Sequence, residues 1–533
     1  MQRQNLRQES HAGCNQIPER LDEELRGRRA IAMNRLGLVF CGLLVSLQVQ
    51  LTAADRPPNV VLILMDDMGW RDVGFMGNSF VETPHLDRLA SRGLVFTQAY
   101  ASAPNCAPTR ACLMSGQYTP RHGIYTVVDP RQPNGSPWHK MLGSESRSEL
   151  DTGVITVAES LQSGGYATAF FGMWNLGRGR SGPMTPGGQG FQRVVFPENL
   201  NFGKDAYFNE RGEYLSDRLM DSVLEFVEQN RERPFFVYLP DHAVHAPYEP
   251  KPDLQKKYEA KASRLDADRR NDPTHAATVE AVDQNIGRLL DALERLQLTD
   301  NTLVIFTSDN GGTNTYTPPL RGGKGALYEG GIRVPLVVAG AGVSKPGRTI
   351  DVPVASIDWY PTLLDLAGIE RPRQVLDGIS LVPLLRGEPS LARERLFWHF
   401  PCYVGRNGPA SAVRAGNWKL LEFFEDGGRR ELYDLEADPA EETDLSKSNT
   451  QKLRELAAIL DQWQSETQAA IPTETNPDYD PTSSRSGGKG GGGTGGKDGA
   501  GKAGKKGGKG GQGGKGGQAG KSGGMNRGNP PRD

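Results

Sequence analysis

Residues 59–67 read NVVLILMDD, an apolar run that stops at two aspartates. The run is short, β-branched in part and free of polar positions after Asn59, as is typical of a strand buried on both faces. We therefore predict a strand from Asn59 to Leu64. Similar runs predict four more strands, at residues 166–171, 235–239, 302–307 and 335–339, and all five are expected to be buried and parallel.

Helical patterns lie between these runs. Thr83 and Pro84 open one helix that stops at Gly93, and Thr156 begins another that ends at Gly164. Two longer segments carry apolar residues at helical spacing, at residues 216–229 and 274–296. The alternation of strand and helix predicts an α/β fold with a large, mainly parallel sheet that is flanked by helices.

Changes in the apolar pattern and in composition along the chain indicate the domain organisation. After about Leu385 the chain turns to short strand-like runs, followed by a helical stretch near residues 451–467, which predicts a smaller α+β domain with an antiparallel sheet. Many of the 66 glycines fall after Ser486, where lysines interrupt them, and such a tail cannot build a core. We predict a leader with an export signal, a catalytic α/β domain, a C-terminal α+β subdomain and a disordered Gly/Lys-rich tail, at residues 1–54, 55–385, 386–475 and 476–533.

Charge and targeting signals narrow the class of protein. The 533 residues include 62 Lys and Arg against 64 Asp and Glu, a net charge of −2, so no basic field indicates nucleic acid as a partner. Arg28, Arg29 and Arg35 precede an apolar stretch at residues 36–51, after which small residues follow, as in an export signal. That stretch is too short and interrupted for a stable membrane span. We predict an exported protein, periplasmic or secreted.

Polar oxygen donors follow two of the predicted strands. Asp66 and Asp67 come directly after the first strand, and Asp309 and Asn310 follow the strand at residues 302–307. Ligands of open α/β sheets lie at the carboxyl ends of the strands, and an all-oxygen set of this kind suits Ca²⁺ or Mg²⁺. Turn capping is the alternative explanation for either pair alone.

A cysteine segment supplies the third element. Residues 106–110 read CAPTR, and Pro108 and Thr109 can open a helix. Cys106 would then lie just ahead of the positive end of that helix, where a thiolate or a developing anion is favoured. From the residues alone, Cys106 is either a reactive thiol or a buried one.

The CAPTR segment, with Leu113 and Gly116 after it, resembles the maturation motif of the formylglycine-dependent sulfatases, arylsulfatase type, of the alkaline-phosphatase-like superfamily. Four other segments resemble that family in the same order: residues 60–69, 243–247, 308–312 and 320–335. The resemblance implies the alkaline-phosphatase-like fold and a sulfuric ester hydrolase. Sulfated carbohydrate or an aryl sulfate would be the substrate.

The resemblance also implies a cofactor and roles for individual residues. Cys106 would be oxidised to formylglycine by a maturation enzyme, and its hydrate would attack sulfur. Arg110 would hold the oxygens of that hydrate, His245 would donate a proton to the leaving alcohol, and Lys324 would neutralise the sulfuryl oxygens. One Ca²⁺ per chain, in preference to Mg²⁺, would be held by Asp66, Asp67, formylglycine 106, Asp309 and Asn310.

The chain departs from the family pattern in one segment. The family reads GKWHLG where residues 172–177 read GMWNLG, so Met173 replaces a lysine and Asn175 a histidine. Three interpretations stay open. The chain is an active sulfatase in which another cation, such as Arg178, Arg180 or Lys204, replaces the lysine. Otherwise it is a phosphodiester or phosphonate hydrolase of the same superfamily, or a catalytically impaired protein that binds sulfated glycan.

Overall fold

The computed structural model describes residues 56–127, 135–203, 206–265, 271–313, 317–405 and 407–483. The leader predicted for residues 1–54, and the tail from residue 484 onwards, lie outside these ranges. The domain boundaries proposed from the sequence stay predictions. Within the described ranges, no helix is long and apolar enough to cross a bilayer.

The regular elements of the described ranges alternate as the sequence predicts. The strands are β1 Asn59–Met65, β2 Gly93–Phe96, β3 Ala99–Tyr100, β4 Ala167–Phe171, β5 Arg193–Val195, β6 Phe235–Asp241, β7 Thr302–Ser308, β8 Leu336–Gly340, β9 Arg348–Ile350, β10 Val354–Ala355, β11 Arg395–Phe400, β12 Ala410–Ala415, β13 Trp418–Phe423 and β14 Arg429–Asp434. The α-helices are α1 Pro84–Ser91, α2 Cys106–Ser115, α3 Thr119–His122, α4 Val157–Ser163, α5 Leu215–Gln229, α6 Pro252–Ala262, α7 Pro273–Arg295, α8 Glu329–Ile332, α9 Trp359–Ala367, α10 Val382–Leu385 and α11 Thr450–Thr467.

An eight-stranded sheet forms the centre of the fold, in the order β5-β4-β6-β1-β7-β8-β2-β9. The five strands from β5 to β7 are parallel, and β2 is parallel to β9. Strand β8 runs antiparallel to both its neighbours. The predicted α/β fold with a mainly parallel sheet is therefore confirmed, but the expectation that residues 335–339 form a parallel strand is wrong.

The physical reason for the reversal is the connection between β7 and β8. A parallel return needs a crossover, usually a helix that packs on the sheet. In the described part of residues 309–335, the chain forms only the four-residue helix α8. It folds instead over the carboxyl end of the sheet.

Two helical layers cover the sheet, because side chains of a strand alternate between its faces. On β1, Val61 and Ile63 pack with α1, α5 and α7, whereas Leu62 and Leu64 pack with α2, α4 and α9. All seven residues of β1 are buried. An uninterrupted apolar run is thus required at this central position.

The C-terminal region contains the separate antiparallel sheet that the sequence predicts. Its four strands lie in the order β11-β12-β13-β14, and each pairs with the next in antiparallel register. Helix α11 packs on β12 and β13 through an apolar cluster that includes Leu456, Leu460 and Trp463.

A buried ion cluster joins this small sheet to the chain that leads into β8. Lys419 of β13 has no exposed side-chain surface and lies 2.9 Å from both Glu329 and Glu441. Burial raises the pKa of Glu441 to about 7. Burial opposes the ionisation of Glu329, but the charges of Lys419, Arg333 and Arg414 together lower its pKa to about 2. The ammonium group therefore holds two carboxylates from different segments.

We expect Lys419→Met to lower the free energy of unfolding by about 3–5 kcal/mol, because it removes the cation that two buried carboxylates share. Chemical denaturation followed by circular dichroism measures the loss. Lys452, whose ammonium lies 2.7 Å from the half-exposed Glu455, provides the matched control. Lys452→Met should cost less than about 1 kcal/mol. Equal losses in the two variants would contradict the assignment.

Candidate active site

Four neighbouring strands end at the same edge of the large sheet and bring the candidate residues together. Strand β1 leads into Asp66 and Asp67, and β7 leads into Asp309 and Asn310. The backbone amide of Asp309 donates to the carbonyl of Met65 at 3.0 Å, which extends the β1–β7 pairing to the site. The two predicted pairs of oxygen donors are therefore adjacent.

The centre of the site is a compact group of acidic side chains around Cys106. Potential ligand atoms of Asp66, Asp67, Asp309 and Cys106 all lie within 4.8 Å of one another, and all four residues are buried. Asp67 has the left-handed backbone angle φ 68°, which is uncommon for a residue other than glycine. Three carboxylates packed this closely repel one another, so the group favours a cation.

Cys106 is the first residue of α2, where the side chain of Asn105 accepts a hydrogen bond from its backbone amide. The thiol donates to Asp66 at 3.0 Å and lies 3.6 Å from Asp67. Burial, together with Asp309 and Asp66, raises the pKa of Cys106 well above its usual value. Burial and the carboxylates thus oppose the thiolate that the helix end favours. Unmodified Cys106 is a protonated thiol here.

Arg110 lies one helical turn further along α2 and bridges two strand ends. Its guanidinium is fully buried, 2.8 Å from Asp66 and 2.9 Å from Asp309, and it also donates to the carbonyl of Met173. Although burial opposes ionisation, Arg110 lowers the pKa of Asp66 far below its usual range. Burial and the charge of Asp66 raise the pKa of Asp309 to about 7. In this structure Arg110 thus binds carboxylates.

Lys324 and His245 lie on the other side of Asp67. The ammonium of Lys324 is 2.7 Å from the Asp67 carboxylate and 3.4 Å from Nε2 of His245. His245 Nε2 is also 3.4 Å from Asp67, and the side chain of His245 is 40% exposed. Burial opposes the charge of Lys324, but Asp67 and Asp66 raise its pKa well above the usual value. The lysine is therefore charged, and the histidine is open to solvent.

The C-terminal sheet region supports the Lys324 segment. The side-chain amide of Asn407 donates to the carbonyl of Lys324 at 2.9 Å. A Cβ atom on Gly325, whose φ is +88°, would lie 2.5 Å from Val404, so the two loops are in close contact. A little further along, the buried pair of Glu329 and Lys419 connects the same segment to β13.

The amide of Asn310 is oriented with its nitrogen towards the carboxylates. It donates to Asp67 at 2.8 Å and to Asp309 at 2.7 Å, while its oxygen accepts from the backbone amide of Gly312 at 2.8 Å. The sequence predicts the amide oxygen as a metal ligand. The structure brings Asn310 to the predicted place, with the donor rather than the acceptor facing Asp67.

The segment that departs from the family pattern follows β4 and lines a cavity of about 340 Å³. Met173, Asn175 and Arg180 are among its lining residues. Arg180 is exposed, forms a salt bridge with Glu198, and lies 4.4 Å above the ring of Phe196.

The structure gives the positions of two of the three cations that were considered as replacements for the missing lysine. Arg178 is exposed, and its backbone amide donates to Glu149. Arg180 is also exposed and pairs with Glu198 rather than with a carboxylate of the acidic group. Lys204 lies outside the described residues. The structure therefore brings neither described arginine to the centre.

Sequence reasoning missed the residue that fixes the turn around His245. The hydroxyl of Tyr207 donates to the backbone carbonyls of both His242 and His245, and the amide of His245 donates to the His242 carbonyl at 2.9 Å. Tyr207 lies in a polar loop without a motif, so only the three-dimensional contacts identify it. The two histidines consequently occupy one constrained turn.

Comparisons with known proteins agree with this geometry. The Sulfatase family model matches residues 58–369, and the model described as N-sulphoglucosamine sulphohydrolase, C-terminal, matches residues 323–468. A curated sulfatase of Formosa agariphila is 33% identical over 79% of this chain and 90% of its own length. The N-acetylgalactosamine-6-sulfatase of Canis lupus familiaris is 30% identical over 69% of this chain and 72% of its own length.

A solved structure shows the same fold. The crystal structure of Ps i-CgsB in complex with k-i-k-neocarrahexaose has a TM-score of 0.64 and 28% sequence identity, and the match covers 80% of this chain and 95% of that one. Sequence, fold and relatives therefore agree: the chain belongs to the sulfatase family of the alkaline-phosphatase-like superfamily and is a sulfatase.

Proposed function

We propose that this sulfatase hydrolyses sulfate monoesters of carbohydrates, with a formylglycine made from Cys106 and one bound Ca²⁺. The observation that carries the proposal is the buried group of three carboxylates around Cys106, with a charged lysine and an exposed histidine beside it. A maturation enzyme would be a required partner. The export signal predicted in the leader would bring the protein to the periplasm or the exterior.

The donor atoms support a hard divalent cation. Asp66, Asp67 and Asp309 offer carboxylate oxygens, and Ca²⁺ prefers several oxygen ligands in a flexible arrangement. Thiol sulfur is a poor ligand for such an ion, whereas an oxygen at the side chain of residue 106 would complete the set. Asn310 would join after its amide turns to present oxygen. Burial and the charge of Asp66 raise the pKa of Asp309 to about 7, and a bound cation would offset the charge repulsion.

Formylglycine, once present, supplies a geminal hydroxyl as the nucleophile towards sulfur. The residues around it would neutralise charge and supply the proton. Lys324 is charged and 2.7 Å from Asp67, so it can neutralise sulfuryl oxygens that approach the centre. His245 faces solvent at the same place and can hold or donate the proton that the leaving alcohol needs. Arg110, paired with Asp66 and Asp309, holds both carboxylates in position.

The names of several relatives support a carbohydrate substrate. One relative is an N-acetylgalactosamine-6-sulfatase, and the Ps i-CgsB structure contains a neocarrahexaose. We extend this class of substrate to the present chain. The loss of the family lysine and histidine at Met173 and Asn175 does not remove the carboxylates, Lys324 or His245, so we favour an active enzyme.

The first test is the chemical state of Cys106 and the reaction it supports. Protein co-expressed with a maturation enzyme should show a thiol-to-aldehyde mass loss in the peptide that contains Cys106. The peptides of the buried Cys112 and Cys402 should keep their thiols. Matured protein should release sulfate from 4-nitrophenyl sulfate, N-acetylgalactosamine 6-sulfate or a carrageenan hexasaccharide, with little action on bis(4-nitrophenyl) phosphate. Cys106→Ala should lower kcat by about 10³-fold or more.

If Cys106 kept its thiol under conditions that convert a known sulfatase, the proposed nucleophile would be wrong. Faster release from the phosphodiester than from every sulfate ester would favour the other hydrolase class. Binding of the saccharides without release of sulfate would favour a catalytically impaired glycan-binding protein.

The second test concerns the cation. Addition of Ca²⁺ to metal-free protein should raise Tm, because an ion that binds only the folded state stabilises that state. At a Ca²⁺ concentration of 100 times Kd, the free energy of unfolding should rise by about 2.7 kcal/mol. Scanning calorimetry measures the shift, and Mg²⁺ should give a smaller one. Asp309→Asn should abolish most of the shift, because it removes one ligand charge.

A carboxylate away from the site controls for loss of stability. Asp283 is buried and accepts hydrogen bonds from the backbone amides of His85 and Leu86. Asp283→Asn should destabilise the protein yet retain the full Ca²⁺-induced rise in Tm. If Asp309→Asn kept the same rise, the proposed metal centre would be wrong.

A further inference from the structure

The cavity that Met173 lines lies at the same edge of the sheet as the acidic group. Strand β4 leads into Met173 and strand β5 leads into Phe196, and both residues line the cavity. Strands β5, β4, β6 and β1 are parallel neighbours, so their carboxyl ends share one edge. The carbonyl of Met173 accepts a hydrogen bond from Arg110, whose guanidinium also binds carboxylates of the acidic group. The cavity is therefore adjacent to the place where a sulfate ester would be held.

An exposed ion pair supplies polar groups to this cavity. Arg180 and Glu198 both line it, they form a salt bridge, and their side chains are 52% and 39% exposed. A guanidinium group carries five N–H donors, and a carboxylate can accept about four hydrogen bonds. One ion pair uses only part of this capacity, so a ligand in the cavity can bind both groups while they stay paired.

The protein fixes the position of the pair. The guanidinium of Arg180 lies 4.4 Å from the centre of the Phe196 ring, and Phe196 is buried against Phe170. Glu198 lies in the short turn after β5, where the side-chain oxygen of Asn199 accepts from the backbone amide of Phe196 at 2.8 Å. Groups that are held before a ligand arrives bind it at a smaller entropic cost.

The aromatic residue of the departing segment has a different role. The indole of Trp174 is only 4% exposed, and its N–H donates to the carbonyl of Met184 at 3.0 Å. Its ring packs edge to face on Phe170 and Phe191. Trp174 therefore shapes the wall of the cavity and offers no free face on which a sugar ring could stack.

The polar groups of the cavity suit an uncharged ligand that bears hydroxyl groups. The pair of Arg180 and Glu198 has no net charge, so it gives a second anion little advantage. It presents N–H donors directly beside carboxylate acceptors, and the amide of the partly exposed Asn175 adds one of each kind. Because every hydroxyl both donates and accepts, two neighbouring hydroxyls of a sugar ring match this arrangement.

We propose that Arg180 and Glu198 bind hydroxyl groups of the sugar ring that carries the sulfate ester. Arg180 donates to the oxygen of one hydroxyl, and Glu198 accepts from a neighbouring one. The proposal rests on the proposed function, since the ester of that ring would lie at Cys106. The pair then determines specificity for carbohydrate over simple aryl sulfates. Arg180 acts on the sugar and does not replace the missing family lysine.

Binding measurements in a background without turnover test the assignment. In Cys106→Ala protein, calorimetry would compare N-acetylgalactosamine 6-sulfate and a carrageenan hexasaccharide with 4-nitrophenyl sulfate, which carries the same ester but no hydroxyl. We expect Arg180→Met and Glu198→Gln each to raise the Kd of a bound saccharide by about 10-fold to 100-fold, because each removes a charged hydrogen bond. The Kd of the aryl sulfate should rise by less than about 3-fold.

A second exposed ion pair provides the matched control. Arg371 lies 2.9 Å from Asp365 of α9, and the two side chains have nearly the same exposure as the proposed pair. Arg371→Met should change neither Kd. Exposed ion pairs contribute little to stability, so all three variants should keep the Tm of the parent protein. A lost contact is thereby distinguished from a lost fold.

Four results would overturn the proposal: equal losses for saccharide and aryl sulfate, no loss for either, no binding of either saccharide before substitution, or tighter binding of the hexasaccharide by Glu198→Gln. The last result would show that the cavity prefers a further anionic group to hydroxyls. Failure of the proposed function is a separate observation, since it would appear as no release of sulfate from any ester by the matured wild-type protein. The ratio of the Kd values needs no turnover.

Discussion

The site depends on one buried guanidinium group. Arg110 has no solvent exposure and lies within 3 Å of two carboxylates from different strands, Asp66 and Asp309. Without that positive charge, the close packing of three carboxylates at the end of the sheet would be strongly unfavourable, since like charges in a buried site repel with little screening. The helix that begins at Cys106 carries the guanidinium to this position one turn later. The same helix therefore places the cysteine and supplies the positive charge that neutralises the carboxylates around it.

Much of the fold was accessible from the sequence because the signals are local. Uninterrupted apolar runs identified β1, β4, β6 and β7, and the polar residues directly after β1 and β7 identified the edge where they meet. The direction of β8 was not accessible, since an apolar run has the same composition in either direction. It is set by the chain between β7 and β8, which folds over the site instead of forming a long helix.

The candidate site was predictable in its members but less so in its contacts. Motifs place Cys106, Lys324 and His245 together, and the structure does so as well. Motifs do not show that Arg110 pairs with carboxylates, that the Asn310 amide presents nitrogen, or that the Cys106 thiol is held protonated. These outcomes depend on burial and on contacts between distant parts of the chain, such as Arg110 with Asp309, which are 199 residues apart.

The contact between the C-terminal sheet and the Lys324 segment bears on how such enzymes can be recombined. Asn407 binds the carbonyl of Lys324, and Lys419 shares its charge between Glu329 and Glu441. If the small sheet were exchanged between relatives, the residues that hold the Lys324 segment in place would be exchanged with it. The sheet is not an interchangeable module, and a functional chimaera needs its crossover point before residue 321, so that both sides of the contact come from one parent.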